Sequence, residues 1–237
     1  MNSYQHIVEQ KIRVLKQQQL QKLPSVIRAV LFDYDGVLVD SNHDHFMAWK
    51  HVFAGQGIRI TKKVFLPLEG LSPTGIAQAL AKHYRLPQER CGELADAKHT
   101  YYQTHHTFRL YPGVQRVIRE LKDRGIRVGL VTGGIFPRIK EATPAYFLAL
   151  FDVVITSDMV KHNKPHPDPY LKALTELHMK KDQAVVVENA PLGIQSANAA
   201  GIYCIAVATT FPCRKLTAAN RCIKNIGELR DIIFPES

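Results

Sequence analysis

The residues of this sequence that could carry chemistry share one property: each closely follows a short apolar run. They are Asp33 and Asp35, the turn Thr132-Gly133, the lysine Lys164, and the pair Glu188-Asn189. Taken singly, each of these motifs is common in turns, helix caps or exposed loops. The four occur in order along the chain, however, and each is attached to its own apolar run, so we expect them to act together.

This set of side chains suits the transfer of a phosphoryl group. A carboxylate such as Asp33 that attacks a phosphate dianion meets charge repulsion, which a divalent cation relieves. Oxygen ligands such as Asp33 and Glu188 suit Mg²⁺. The hydroxyl and backbone N–H groups of Thr132-Gly133 can hold phosphoryl oxygens, and Lys164 can neutralise the charge that gathers there. Asp35 can protonate the leaving oxygen and then activate water.

These residues converge only if the apolar runs are strands of one parallel sheet. Five runs have this character, and they are residues 27–32, 126–131, 153–155, 184–187 and 202–207. They are rich in Val and Ile without clean alternation, which is typical of parallel strands covered on both faces. Helical patterns separate the later runs, and two of them end at Gly125 and Gly201, where left-handed caps are expected. The sequence therefore predicts an α/β fold with a doubly wound parallel sheet, whose ligands bind beyond the carboxyl ends of the strands.

A long interval separates the first predicted strand from the second. Residues 42–110 show helical periodicity and no convincing strand, which predicts an inserted α-helical cap domain. The predicted organisation is an N-terminal extension at 1–25, a catalytic core formed by 26–41 and 111–237, and the cap at 42–110. A loose apolar stripe within residues 1–23 predicts an extra helix, either packed on the core or partly frayed, or one that binds a partner.

Composition narrows the class of protein. Of the 237 residues, 46% are hydrophobic and 22% are charged, as in ordinary globular proteins. We expect neither a membrane span, which needs about 18 apolar residues, nor a secretory signal. The net charge of +10 is dispersed and no nucleic-acid motif occurs, which favours anionic ligands in general over nucleic acid. The four cysteines form no CxxC pair, so we do not expect a zinc site. We expect the thiols to be reduced and the protein to be cytoplasmic.

Four segments resemble the haloacid dehalogenase superfamily of phosphatases and phosphomutases, in its branch with a helical cap after the first strand. They are residues 32–41 (FDYDGVLVDS), 131–133 (VTG), 164–168 (KPHPD) and 187–194 (VENAPLGI). The similarity runs from about residue 27 to residue 232. It implies a Rossmann-like core, an aspartyl-phosphate formed on Asp33, and Asp35 as general acid and base. It also implies that Thr132 and Lys164 bind the phosphoryl group, and that Asp33, the Asp35 carbonyl and Glu188-Asn189 hold Mg²⁺.

The start of the cap, residues 44–50, is similar to that of beta-phosphoglucomutases and related sugar-phosphate phosphatases. This similarity implies that His45 couples substrate binding to acid–base chemistry; the alternative is a histidine on a helix surface. Two positions depart from the family. Asn189 stands where aspartate is common, so we expect weaker Mg²⁺ binding. Pro73 stands where the mutases carry an arginine that grips a second phosphate. This favours a phosphatase, unless Lys62, Lys63 or Arg85 substitutes for that arginine.

The leading hypothesis is a magnesium-dependent phosphatase of small organic phosphate monoesters, sugar phosphates foremost, that works through an aspartyl-phosphate. Two alternatives stay open: a phosphomutase of the beta-phosphoglucomutase type, and a catalytically weakened member that acts as a binding protein. The expected partner is a small phosphorylated metabolite, with no nucleic acid. The sequence selects neither a particular ester nor an oligomeric state.

Overall fold

The computed structural model describes residues 22–235. The helix predicted within residues 1–23 therefore lies outside the described residues, apart from its last two. A six-stranded sheet forms the centre, with the strand order β3-β2-β1-β4-β5-β6 and every neighbouring pair parallel. The strands are β1 (Ala29–Phe32), β2 (Arg127–Val131), β3 (Val153–Ile155), β4 (Ala184–Glu188), β5 (Tyr203–Val207) and β6 (Arg221–Ile223). The predicted doubly wound α/β fold is confirmed.

Both faces of the sheet are covered, which explains the absence of alternation in its strands. Within β1, Val30 and Phe32 face one apolar cluster while Ala29 and Leu31 face another, and all four are fully buried. Burying both faces of a strand favours apolar residues at every position.

Helices on the two faces of the sheet contribute side chains to these clusters. The first cluster takes side chains from α5 (Val114–Asp123), α6 (Phe136–Ala142), α7 (Ala145–Leu148) and α10 (Leu229–Ile233). The second takes them from α8 (Asp168–Glu176) and α9 (Pro191–Ala200). Gly125 after α5 and Gly201 after α9 have φ values of 71° and 73°, so both predicted left-handed caps are present.

The interval between β1 and β2 is helical, as predicted. It holds α1 (Asn42–Ala54), α2 (Lys62–Phe65), α3 (Pro73–Tyr84) and α4 (Cys91–His105), with single-turn 3-10 helices at Leu66–Leu68 and Gln88–Arg90. These helices surround an apolar cluster of their own, whose largest fully buried side chains include Trp49 and Phe53. The inserted helical cap is thus present, and its limits at residues 42 and 110 remain a prediction. We call residues 42–110 the cap.

Two expectations about the C-terminal part were wrong. Strand β6 was not predicted, because it is a three-residue edge strand that begins with the exposed Arg221. Its pairing with β5 brings Cys222 to a Cα–Cα distance of 5.8 Å from Cys213, and the two form a disulfide. The thiols expected to be reduced are free only at Cys91 and Cys204, both buried. The cytoplasmic location stays a prediction, and no helix within residues 22–235 has the length and apolarity needed to cross a bilayer.

Candidate active site

The predicted site residues lie at the carboxyl ends of adjacent central strands. Asp33 directly follows β1, and its N–H donates to the Val187 carbonyl of β4 at 3.0 Å, which extends the strand pairing by one residue. Thr132 directly follows β2, and its N–H donates to the Ile155 carbonyl of β3 at 2.9 Å. Glu188 is the last residue of β4. Backbone hydrogen bonding therefore fixes the positions of the Cα atoms that carry these side chains.

Lys164 joins two of these strand ends. It comes from the loop between β3 and α8, and only 2% of it is exposed. Its Nζ donates to Asp33 Oδ1 and to Glu188 Oε1, both at 2.7 Å, and to the Val131 carbonyl at 3.1 Å. An ammonium group has three protons, so all three are used.

One positive charge here serves two buried carboxylates. Burial alone would lower the pKa of Lys164, but Asp33 and Glu188 raise it well above its ordinary value. Burial and the charge of Glu188 raise the pKa of Asp33 to about 8, and Lys164 opposes that rise. A distance of 2.7 Å between Lys164 Nζ and Asp33 Oδ1 suits an ammonium group and a carboxylate. With both carboxylates ionised the trio carries a net charge of −1, so further positive charge would favour the ionised nucleophile.

Glu188 is held on all sides. Tyr170 donates to Oε1 at 2.7 Å, beside Lys164, and the N–H groups of Asn189 and Ala190 donate to Oε2 at 3.0 and 3.3 Å. The carboxylate occupies the space that a side chain at Gly193 would need, since a Cβ there would lie 1.7 Å from Oε1. Glu188 thus positions Lys164, and its predicted contact with Mg²⁺ stays a prediction.

Asn189 offers an oxygen to the site. The residue is 1% exposed, and its Nδ2 donates to Thr210 Oγ1 at 2.8 Å. Its Oδ1 is buried and has no hydrogen-bond partner among the described residues. A buried carbonyl oxygen without a donor is costly unless something positive meets it. Asp33 and Asn189 Oδ1 therefore fit a hard cation such as Mg²⁺, which prefers oxygen ligands.

The donor set is low in charge. Within residues 22–235 there is no group of three or more His, Cys, Asp or Glu side chains placed to hold a metal ion. The oxygens available are one carboxylate, one amide and, as predicted from the family, the main-chain carbonyl of Asp35. Asn189 accounts for the deficit, because an aspartate there would supply the missing carboxylate.

The phosphate-binding turn predicted at Thr132-Gly133 lies beneath the cap. Thr132 is 2% exposed, and its Oγ1 accepts from the Gly134 N–H at 3.0 Å. A Cβ at Gly133 would lie 2.8 Å from the Leu71 carbonyl oxygen and 3.0 Å from that of Gly70. The backbone of the cap therefore closes directly over this turn.

Across the cavity, Asp35 ends a chain of hydrogen-bonded side chains. His45 Nε2 lies 2.9 Å from Asp35 Oδ1, and Lys98 Nζ lies 2.6 Å from His45 Nδ1. Ser41 donates to the same oxygen of Asp35 at 2.5 Å. The His45 ring stacks on Tyr102 with 4.2 Å between centroids. The structure places His45 beside Asp35 in the cavity, and its coupling of substrate binding to acid–base chemistry stays a prediction.

The charges of this chain depend on one another. Burial lowers the pKa of Lys98 to about 7. Burial and then Lys98 lower the pKa of His45, while Asp35 opposes the change. Burial alone would raise the pKa of Asp35, but His45, Ser41 and Lys98 bring it below its ordinary value. While Lys98 is an ammonium group it can only donate, so a neutral His45 then carries its proton on Nε2 and donates it to Asp35.

Three polar residues of the site were not predicted from the sequence. Lys98 interrupts the apolar face of α4, and a charged residue on such a face is a usable indication. Glu69 was visible only as part of a loop that departs from the family. Thr210 bonds the amide groups of Asn42 and Asn189 but follows β5 without any motif.

The site opens into a cavity of about 70 Å³ between core and cap. Asp33, Asp35, Gly133 and Asn189 line it from the core, and His45, Glu69 and Lys98 line it from the cap. The remaining cap wall is largely apolar and includes Trp49, Phe65 and Ile76. A polar reaction centre with an apolar wall is typical of a small-molecule site.

Comparison with known proteins gives consistent results. The family described as haloacid dehalogenase-like hydrolase matches residues 30–207. Validoxylamine A 7'-phosphate phosphatase of Streptomyces hygroscopicus subsp. limoneus is 30% identical over 209 residues, which cover 86% of this chain and 96% of that protein.

Two solved structures are also similar. Beta-phosphoglucomutase from Clostridium difficile is 25% identical with a TM-score of 0.76, covering 86% of this chain and 93% of that one. CbbY from Rhodobacter sphaeroides, crystallised in complex with phosphate, is 26% identical with a TM-score of 0.74, covering 86% and 96%.

Proposed function

This chain belongs to the haloacid dehalogenase-like hydrolase family. On this basis we propose that it is a Mg²⁺-dependent phosphatase of small organic phosphate monoesters, sugar phosphates foremost. The observation that carries the proposal is the buried Lys164, which holds Asp33 at 2.7 Å while Asp35 faces the same cavity. A nucleophile, a fixed cation and an acid–base residue around one cavity are the parts that phosphoryl transfer needs.

In the first half of the reaction, the Asp33 carboxylate attacks phosphorus. The new Asp33–phosphorus bond forms as the bond to the leaving oxygen breaks, which gives an aspartyl-phosphate. The negative charge of the arriving phosphate favours the protonated form of Asp35, which takes up a proton from solvent and gives it to the leaving oxygen. Lys164 and the Thr132-Gly133 turn hold the phosphoryl oxygens, where negative charge gathers.

In the second half, Asp35 acts as a base. It removes a proton from water, and the water oxygen attacks phosphorus and releases Asp33 and inorganic phosphate. His45 returns Asp35 to its starting position through the 2.9 Å contact, and Lys98 fixes the tautomer of His45 through the 2.6 Å contact. His45 and Lys98 are therefore positioning residues in this proposal.

Mg²⁺ would be held by Asp33, the Asp35 carbonyl and Asn189 Oδ1, with Glu188 behind them. The ion supplies positive charge that reduces the repulsion between the nucleophile and the phosphate dianion. The net charge of −1 on Asp33, Glu188 and Lys164 supports this requirement, since Lys164 alone leaves one carboxylate uncompensated. We further propose that the cap is mobile and closes to exclude water.

The phosphomutase alternative is less well supported. A mutase must bind two phosphate groups, and the second needs a cation of its own. Among the described residues that line the cavity, Lys98 is the one lysine or arginine, and His45 already engages it. Pro73 lines the cavity at the position where the mutases carry the arginine, and it offers no charge to a second phosphate.

The proposal is tested by phosphate release from a panel of small phosphate esters, with and without Mg²⁺. We expect release by the wild-type protein that requires Mg²⁺, and none by Asp33→Asn. Asp182→Asn makes the same exchange at an exposed residue and should keep full activity.

Release that persists in Asp33→Asn would refute the aspartyl-phosphate. No release at any Mg²⁺ concentration would favour the binding-protein alternative. Interconversion of a sugar 1-phosphate and 6-phosphate would restore the mutase.

A further inference from the structure

Glu69 is a buried carboxylate that the proposed reaction does not use. It lies in the cap, in the loop between the 3-10 helix Leu66–Leu68 and α3, and 8% of it is exposed. It lines the same cavity as Asp33 and Asp35. The loop lies close to the core, because a Cβ on the next residue, Gly70, would lie 3.6 Å from the Gly193 nitrogen.

Only half of this carboxyl group is satisfied. Asn42 Nδ2 donates to Oε2 at 3.4 Å, and Thr210 also contacts the carboxyl. Oε1 is buried and has no hydrogen-bond partner anywhere in residues 22–235. A buried carboxylate oxygen without a donor is costly. The position therefore needs a partner that comes from outside the chain.

The protein side of the cavity offers no such partner. The walls near the cap are built from Trp49, Phe65, Leu71 and Ile76, which have no donor that reaches Oε1 in the described structure. Lys98, the one lysine or arginine among the described lining residues, is bonded to His45. The Glu69 side chain lines the cavity into which the organic part of a substrate would extend.

We propose that Glu69 selects the leaving group: it accepts a hydrogen bond from a hydroxyl or ammonium group of the substrate and excludes a second anionic group. This inference rests on the proposed phosphatase function and names its substrate class. The preferred substrate carries one phosphate and at least one hydrogen-bond donor on its organic part.

Charge explains the exclusion. Burial, and then the charges of Asp35, Asp33 and Glu188, raise the pKa of Glu69 to about 8, so its ionised form is disfavoured until a donor meets it. A second phosphate or a carboxylate would join this group of acids without a free cation to meet it. A hydroxyl or ammonium group, in contrast, brings a proton to Oε1, and an ammonium also lowers the net negative charge.

The test compares five probes on wild-type protein, Glu69→Gln and Glu69→Ala with Mg²⁺ present. Glucose 6-phosphate and glucosamine 6-phosphate carry donors, fructose 1,6-bisphosphate and phosphoglycolate carry a second anion, and p-nitrophenyl phosphate carries neither. We expect the wild-type protein to favour the first pair over the second.

Glu69→Ala should lower kcat/KM for the favoured probes by about 10–100-fold. It should change p-nitrophenyl phosphate hydrolysis by no more than about threefold. Glu69→Gln keeps an acceptor but no charge, so a larger loss for glucosamine 6-phosphate than for glucose 6-phosphate identifies an ammonium partner, and similar losses identify a hydroxyl.

Binding to Asp33→Asn, measured by calorimetry, separates this inference from the proposed function. Glucose 6-phosphate or glucosamine 6-phosphate should bind at least about tenfold more weakly when Glu69→Ala is added. Glu89→Gln, at an exposed position of the same cap, should leave binding unchanged.

Equal losses for all five probes would assign Glu69 a structural role and overturn the proposal. A wild-type preference for fructose 1,6-bisphosphate or phosphoglycolate would also overturn it. If no probe is hydrolysed, the phosphatase proposal fails, and unchanged calorimetric binding in the Glu69→Ala background would then overturn the role of Glu69 as well.

Discussion

Replacing Asn189 with aspartate should destabilise the protein without Mg²⁺ and strengthen the binding of Mg²⁺. Asn189 is 1% exposed and its Oδ1 has no partner in the described structure, so a carboxylate there gains no compensating hydrogen bond. It would also stand beside Asp33 and Glu188, which share one lysine. Without Mg²⁺ we expect a loss of about 3–5 kcal/mol in the free energy of unfolding, reduced where the new acid stays protonated.

With Mg²⁺ the same charge should be favourable. Two unit charges 4 Å apart attract by about 4 kcal/mol at an effective dielectric constant of 20. After part of this is lost to desolvation, about 1.5–3 kcal/mol should remain, which corresponds to about 10–150-fold tighter Mg²⁺ binding. We expect Asn189→Asp to require less Mg²⁺ for half-maximal activity than the wild-type protein does.

Titration calorimetry with Mg²⁺ and melting temperatures measured with and without the ion provide the assay. Asn225→Asp is the control for the Mg²⁺ titration, since Asn225 is exposed and its Oδ1 accepts from the Gly227 N–H, a role that aspartate can also fill. It loses the bond from Nδ2 to Glu228 Oε1 at 2.8 Å, so its melting temperature is compared only with and without Mg²⁺. An unchanged Mg²⁺ affinity would refute the charge argument. Equal melting temperatures of Asn189→Asp and wild type without Mg²⁺ would show that residue 189 is not as enclosed as the structure has it.

Three further predictions concern other parts of the molecule. Because burial lowers the pKa of Lys98 from 10.5 to about 7, the unfolded chain holds this proton over a range where the folded chain does not. Wild-type stability relative to Lys98→Met should rise by up to about 1.4 kcal/mol per pH unit between those values, and a difference that stays flat in urea unfolding would contradict this. Gly36→Ala should destabilise more than Gly57→Ala in the same assay: both have positive φ, but a Cβ at 36 would lie 2.0 Å from Asn189 Nδ2 and one at 57 meets nothing within 4 Å. Equal losses would show that Asn189 moves freely. Reduction of the Cys213–Cys222 disulfide should cost about 2–3 kcal/mol, from a sequence separation of 9, and an unchanged melting temperature in reductant would exclude a structural role.

The parallel sheet could be predicted from the sequence because its strands are buried on both faces. Continuous Val and Ile runs identify such strands, and the predicted runs at 27–32 and 202–207 contain β1 and β5. Strand β6 has only three residues and one exposed end, so its composition differs little from that of a loop. Its position depends on docking against β5, which no local pattern expresses.

The residues of the site likewise divide into those that could be predicted from the sequence and those that could not. Asp33, Thr132 and Glu188 were predictable because each adjoins a strand end, and parallel strands bring their ends together. Lys98 and Glu69 come from the cap, whose packing on the core decides what they face. The disulfide was missed for the same reason, since spacing alone does not tell which cysteines a sheet edge brings together.

The contact between Gly133 and the cap backbone has a kinetic consequence. The carbonyl oxygens of Gly70 and Leu71 lie where a side chain at residue 133 would be, so the absence of that side chain lets the two parts of the protein meet. If the cap moves as proposed, capture of substrate depends on how often this contact separates, and the association rate then has a ceiling set by that motion instead of by diffusion.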